Sequence, residues 1–272
     1  MSGRATMRIT RLEAGYGREC VLRGVDFSPA AGALTVLAGP NGSGKSTLLK
    51  VMAGLLPPRA GAVDCDGRSL YALSRRARAQ LVGYFPQTRP LPELTARTLI
   101  AHGRYPHLRF AGSLTERDRA HIAQAAALTG TEALLDKDVA ALSGGQRQRV
   151  YLAMLLAQDT EILLLDEPTA FLDIRAQLDV LDILKSLRRA GKTIIAALHD
   201  LQQAFSFADR LALLEDGRIA FAGPPDCPAA AAGVRRVMGV SVRRGEAGAL
   251  FRYTLARGEA RATEDAPPQA GV

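Results

Sequence analysis

Gly39-Pro40-Asn41-Gly42-Ser43-Gly44-Lys45-Ser46 follows the pattern G-x4-G-K-[ST], and the chemistry of that pattern is polyphosphate binding. Its glycines let the backbone bend until successive N–H groups converge on phosphate oxygens. Lys45 then reaches the outer phosphates and the Ser46 hydroxyl offers an oxygen to magnesium. A second constellation is Ile162-Leu-Leu-Leu-Asp166-Glu167-Pro168, an apolar run whose end presents two adjacent carboxylates. Beside a phosphate loop, one carboxylate serves a metal ion and its neighbour polarises an attacking water. The third is Leu142-Ser143-Gly144-Gly145-Gln146, placed directly before a helical run. Ser143 suits an N-cap, and the two glycines leave amides uncovered for an anion. Taken alone, this third segment is also an ordinary helix cap.

These residues need strands and helices to hold them. The phosphate loop follows an apolar strand at 33–38 and opens a helix at 46–53, so that a helix N-terminus also faces the anion. Short strands near 7–12 and 21–27, with a further strand and turn at 61–67, give the chain an antiparallel start. Between about 91 and 158 the strand signal vanishes, and helical patterns cover 94–102, 115–129 and 144–158, which reads as an inserted helical subdomain. Apolar strands return at 161–165, 193–198 and 210–214, separated by helical stretches at 174–189 and 201–207. That alternation predicts a mainly parallel sheet covered on both faces. Past 223 the chain loses clear alternation, and from about 258 it is polar and rich in Ala, Pro and Glu, the composition of a disordered tail.

Composition limits the functional classes. The 272 residues, 47% of them hydrophobic, are enough for one α/β domain with an inserted subdomain. The net charge of +8 comes from thirty arginines and five lysines spread evenly along the chain, which reads as a solvated surface rather than a nucleic-acid stripe. Cys20, Cys65 and Cys227 form no C-x-x-C pair, which argues against a disulfide framework or structural zinc and fits a reducing cytoplasm. The N-terminus has no apolar signal region, and the apolar runs at 162–165 and 193–198 are too short to span a bilayer. A role at a membrane therefore calls for another chain to cross it.

With these segments in this order and spacing, the sequence resembles the nucleotide-binding subunits of ATP-binding cassette (ABC) transporters from residue 7 to about 240. The resemblance implies a P-loop NTPase fold of ABC type: an α/β core with a mainly parallel sheet, an antiparallel β subdomain, the inserted helical subdomain at about 91–158, and a C-terminal extension at 241–272. It makes 39–46 the Walker A loop, 142–146 the signature motif, 162–166 the Walker B strand and Glu167 the catalytic glutamate. Tyr16 matches the aromatic that stacks on adenine. Gln87, in Tyr84-Phe-Pro-Gln87, matches the Q-loop glutamine that contacts magnesium or the water, and His199 matches the switch histidine on the γ-phosphate. Asp173, in Phe171-Leu-Asp173, matches the D-loop, although the family often has a small residue where Phe171 stands.

The nucleotide-contacting set implied is thus Tyr16, Gly39 to Ser46, Thr47, Ser143, Gly144, Gly145, Gln146 and Asp173, with Ser46, Gln87 and Asp166 at magnesium and Glu167, His199 and Gln87 at the water. ATP and Mg2+ are the implied cofactors. The family's subunits meet head to tail, each ATP lying between the Walker A loop of one copy and the signature helix of the other, so that a second copy of this chain completes both sites. Gly103-Arg-Tyr-Pro-His107, the 142–158 block and Phe171-Leu-Asp-Ile174 look like the importer branch for ferric siderophores, haem and cobalamin, with the siderophore subunits most similar. Integral-membrane permease subunits and, indirectly, an extracytoplasmic substrate-binding protein are then the partners, and the cytoplasmic face of the plasma membrane the location. A soluble ABC ATPase outside transport is the other class, opposed by the absence of a second cassette and of an aromatic-interleaved basic stripe. His102 and His107, five apart around a proline, do not share a helical face and read as structural or docking residues rather than metal ligands.

Lys45→Ala removes the one mobile positive charge that meets the outer phosphates, and is expected to abolish useful ATP affinity. Calorimetric titration of the purified variant checks this, and near-normal binding would contradict the phosphate-loop assignment.

Overall fold

The computed structural model describes residues 5–108, 113–244 and 253–257. Its centre is a six-stranded sheet built from β3 (Leu34–Ala38), β6 (Val82–Phe85), β7 (Ile162–Asp166), β8 (Thr193–Ala197), β9 (Arg210–Glu215) and β10 (Arg218–Gly223). The order is β10-β9-β3-β8-β7-β6, parallel throughout except for β10, which turns back on β9 through Asp216 and Gly217, both at positive φ.

Every residue of β3, β7 and β8 is buried, so these strands read as continuous apolar runs, the pattern of a sheet covered on both faces. Period-two alternation divides them between two cores. Val36, Leu163, Leu165, Ile194, Ala196, Leu211 and Leu213 face one side, under α5 (Gly144–Ala157), α6 (Ile174–Arg189) and α7 (Leu201–Phe207). Leu37, Ile162, Leu164, Ile195, Ala197, Ala212 and Leu214 face the other, against α1 (Lys45–Met52) and a second sheet. That sheet is antiparallel, in the order β2-β1-β4-β5, from β1 (Met7–Tyr16), β2 (Glu19–Phe27), β4 (Ala60–Cys65) and β5 (Arg68–Ser69). A bulge at Arg11, with φ of 44°, shifts the inward phase of β1 from Met7 and Ile9 to Leu12 and Ala14, which keeps both halves of a long strand facing the same core.

Between β6 and β7 lie α3 (Ala96–His102), α4 (Glu116–Thr129) and α5, the helical insertion expected from the sequence. Several other elements were not anticipated. α2 (Arg75–Leu81) starts at the Ser74 cap and buries none of its side chains, so it carries no apolar period. β6 is only four residues long and contains a glycine. β10 is an edge strand with mostly half-exposed residues. Beyond 223 the loss of alternation does not mean a loss of structure: α8 (Pro228–Met238) begins on a proline at its first turn, buries small residues such as Ala230 and Gly233, and ends at Gly239 in the left-handed conformation. β11 (Val240–Arg244) and β12 (Tyr253–Arg257) then pair antiparallel. The tail expected to be disordered from about 258 lies outside the described residues. Among the described residues no helix is long and apolar enough to cross a membrane.

The insertion is fastened by a buried ion pair. Arg104 Nε donates to Asp118 Oδ1 at 2.9 Å, and Arg104 Nη1 donates to the Ala157 carbonyl at 2.7 Å, joining the ends of α3, α4 and α5. Thr115 completes a capping box with Asp118, whose carboxyl is held down to about 2, first by the Thr115 hydroxyl and further by Arg104, against the cost of burial. A depressed carboxyl pKa stabilises the fold above the unfolded value near 3.8, and that stability is lost as pH falls towards about 2. Asp118→Asn is therefore expected to cost about 3–5 kcal/mol at neutral pH by leaving Arg104 buried without its counter-charge. The difference in melting temperature from wild type should narrow below pH 4; a difference that stays constant down to pH 2 would contradict the assignment.

Candidate active site

The site is built where β3 and β7 end on either side of β8. Ala197 of β8 pairs with Leu37 on one side and Asp166 on the other, which sets the phosphate loop and the acidic turn side by side. The loop from 39 to 44 needs its glycines. Gly39 sits at φ +154° with the Leu214 carbonyl oxygen 2.1 Å from where a Cβ would stand, and Gly44 at φ +104° is packed on Leu22 and Val21.

Lys45 folds back into this loop, its Nζ donating to the Gly39 and Pro40 carbonyls at 2.9 and 3.0 Å. Burial pushes its pKa down, and the nearby Glu167 and Asp166 carboxylates work against that shift. The Ser43 hydroxyl is buried in the same loop and finds no partner among the described residues. Ser46 Oγ donates to Asp166 Oδ1 at 2.9 Å, and the Tyr84 hydroxyl donates to Asp166 Oδ2 at 3.3 Å. Burial raises the Asp166 pKa against the Ser46 hydrogen bond, with the adjacent Glu167 charge adding to the rise. The Tyr84 phenol is likewise raised, chiefly by burial and then by Asp166.

Glu167 is buried and stands at φ 53°, a left-handed conformation costly for a non-glycine residue. Both of its oxygens are taken: Gln87 Nε2 donates to Oε2 at 2.8 Å, and His199 Nε2 meets Oε1. A cleft of about 480 Å³ opens onto these groups, lined by Asn41, Gly42, Gly44, Lys45, Ser46, Thr47, Gln87, Glu167 and His199. The charges and donors of that cleft suit a phosphate chain: backbone amides and Lys45 for the anion, hard oxygens at Ser46 and Asp166 for a cation, and a carboxylate for a water.

Three further sets of expected nucleotide contacts do not line this cleft in the single chain. Tyr16 is nearly half exposed at the end of β1, with Lys50 Nζ 3.4 Å from its hydroxyl and 5.7 Å from its ring centroid. Ser143 to Gln146 start α5 with a reciprocal capping box, the Ser143 hydroxyl accepting from the Gln146 N–H and the Gln146 side chain accepting from the Ser143 N–H. Gly144 borders a different cavity, shared with Gln87, Arg147 and Phe171, so a single chain does not bring 143–146 onto its own phosphate loop. Asp173 caps α6, accepting the Ala176 N–H at 2.8 Å. Tyr84 was missed by the sequence reading; its signal was its position three residues before Gln87 in the Tyr84-Phe-Pro-Gln87 segment, but the contact depends on β6 lying beside β7. His107 is tied by Nε2 to the Gln158 carbonyl at 2.8 Å, and the His102 ring lies 4.6 Å from that of Tyr105.

Comparison with known proteins agrees with this geometry. The family model for ABC transporters matches residues 22–170. The achromobactin transport ATP-binding protein CbrD of Dickeya dadantii is 46% identical over 78% of this chain and 79% of its own length. The iron(3+)-hydroxamate import ATP-binding protein FhuC of Bacillus subtilis is 41% identical over 77% and 78%. The ferric enterobactin transport ATP-binding protein FepC of Escherichia coli is 39% identical over 87% and 88%. Among solved structures, cbiO1 of Clostridium perfringens, part of the ABC transporter complex cbiONQ, superposes with a TM-score of 0.74 at 28% identity, covering 86% of this chain and 94% of that one. The cassette MJ0796, solved as a dimer in a post-hydrolysis state with ADP and Pi, gives a TM-score of 0.71 at 27% identity, covering 81% and 99%.

Proposed function

The chain belongs to the ABC transporter family of ATP-binding subunits, and we propose that within it the protein is the ATPase that powers import of ferric siderophores. Hydrolysis of ATP is the activity of such subunits. The observation that carries the assignment here is the cleft in which Lys45, Ser46, Glu167, Gln87 and His199 converge, with Asp166 hydrogen-bonded to Ser46. The siderophore substrate is supported by the names of the relatives, three of which transport achromobactin, iron(3+)-hydroxamate and ferric enterobactin.

In the proposed mechanism the amides of the 39–46 loop and the N-terminus of α1 cradle the phosphates. Lys45 exchanges the Gly39 and Pro40 carbonyls for the outer phosphate oxygens. Ser46 and Asp166 are the residues that fit magnesium, two hard oxygens already 2.9 Å apart. Among the described residues no group of three or more His, Cys, Asp or Glu side chains is poised for a metal, so phosphate oxygens and water would complete the shell. Bound there, the ion neutralises charge developing on the phosphates. Glu167 polarises the attacking water, and Gln87 and His199, one on each of its oxygens, leave each oxygen a further lone pair to receive that water. His199 and Gln87 thereby report on the state of the γ-phosphate.

Ser143 to Gln146, at the start of α5 with Ser143 and Gly144 exposed, serve the nucleotide held by a second copy in a head-to-tail dimer, with Asp173 at the same interface and Tyr16 at the adenine. The subunit docks at the cytoplasmic face of a permease through the surface between Gln87 and His107, where Leu91 and Tyr105 are more than half exposed. His107, held by Gln158, shapes that surface rather than projecting from it.

Reconstitution with the cognate permease and binding protein tests the substrate: ATP-dependent uptake of a ferric siderophore is expected, and uptake of haem or cobalamin alone would overturn the siderophore assignment. Glu167→Gln keeps the shape and one acceptor oxygen but loses the carboxylate. It should bind ATP, hydrolyse at least about a hundredfold more slowly, and accumulate as an ATP-dependent dimer on size exclusion. Normal turnover in this variant would give Glu167 another role.

A further inference from the structure

Gln148 lies on α5 just past the 143–146 segment, whose first two residues are exposed, yet it is itself only 4% exposed. Its Nε2 donates to the Pro168 carbonyl, and its Oε1 accepts from Arg89 Nη2. The Arg89 guanidinium is stacked over the rings of Phe85 and Tyr151, 4.1 and 5.3 Å from their centroids. Burial pushes its pKa down to about 10. Tyr151, also on α5, donates its hydroxyl to the Pro90 carbonyl.

A closed circuit results. Gln87 holds the Glu167 carboxylate, Pro168 follows Glu167 in the chain, Gln148 holds Pro168, Arg89 holds Gln148, and Arg89 stands two residues from Gln87. Glu167 needs such support. Its left-handed backbone persists only where its neighbours over-determine it, and it is pinned before by its own N–H to the Ala197 carbonyl at 3.1 Å and after by Gln148 on Pro168. A buried primary amide is costly unless bonded, and a methionine would fill the same volume without that cost.

We propose that Gln148 is a positioning residue for the hydrolytic reaction, holding the backbone turn of Glu167 in place and joining it to Arg89 and to the helix that begins at Ser143. The proposal rests on the water-activating role of Glu167. Because α5 carries both Gln148 and the 143–146 segment, a shift of residues 87–89 when the γ-phosphate is lost is transmitted to the end of the helix that faces the partner copy.

The test is steady-state ATP hydrolysis by the full chain carrying Gln148→Met, alone and with Glu167→Gln. Misplacing a catalytic group by about 1 Å costs on the order of a hundredfold, so kcat should fall about 10- to 100-fold while KM for ATP stays within about twofold. Added to Glu167→Gln, the same substitution should lower the rate by less than about twofold, because both act on one group. If the methionine variant does not fold, Gln148→Glu keeps an acceptor for Arg89 and replaces the donor to Pro168 with a carboxylate oxygen, and the same kinetic pattern is expected of it. Wild-type kcat, a change in KM alone, or an equal loss in both backgrounds would overturn the proposal. Where Glu167→Gln is slow and Gln148→Met is not, the bridge alone fails; where Glu167→Gln hydrolyses normally, the role of Glu167 fails and the bridge with it.

Discussion

The hydrogen bond from Ser46 Oγ to Asp166 Oδ1 joins groups 120 residues apart, and the rest of the site depends on the register that allows it. Parallel pairing of β3 and β7 with the strand between them places both strand ends beside Ala197. One step of slip in either strand would turn its alternate residues to the opposite core and carry the carboxylate away from the loop. The register is held because both faces are buried: Leu163 and Leu165 belong to one core, Ile162 and Leu164 to the other. The chemistry at the strand ends thus inherits its geometry from apolar packing several residues away.

That geometry comes with stored cost. Lys45 and Asp166 are both displaced from their ordinary protonation equilibria by burial, in opposite directions, and each is partly compensated by the other's charge or by a neighbouring hydroxyl. A polyphosphate with its counter-ion would add the missing charges, so the binding energy is directed at groups that have already lost much of their water. Glu167 and Phe171 add backbone strain at φ 53° and 61°, and Phe171 is 97% exposed in the single chain. Both lie on the turn between β7 and α6, next to the surface where the proposed second copy would pack.

Much of this was legible in the amino-acid order because local rules and tertiary structure agree. The fully buried strands read as apolar runs, α6 spans the residues expected of it, and the Ser143 cap forms as its sequence suggests. The illegible parts have identifiable causes. α2 has no buried face to give it a period, β10 is half solvated, and α8 buries Ala230, Gly233 and a single larger side chain, Val234, which leaves little hydrophobic signal. In the site, the loop and carboxylate motifs announce themselves by spacing, whereas Tyr84 and Gln148 do not. Their partners, Asp166 and Pro168, are 82 and 20 residues away and reach them only through sheet and helix packing.

In the proposed function Asp166 and the phosphate loop act as one nucleotide site with magnesium between them. Its most direct test is titration of ATP into the purified chain with and without Mg2+, for wild type and Asp166→Asn. Loss of a charge-assisted ligand of this kind is worth about 1.5–3 kcal/mol, so Mg2+ should tighten ATP binding at least about tenfold in wild type and leave it nearly unchanged in the variant. An equal Mg2+ effect in both proteins would show that the two strand ends, though adjacent, do not act as one site.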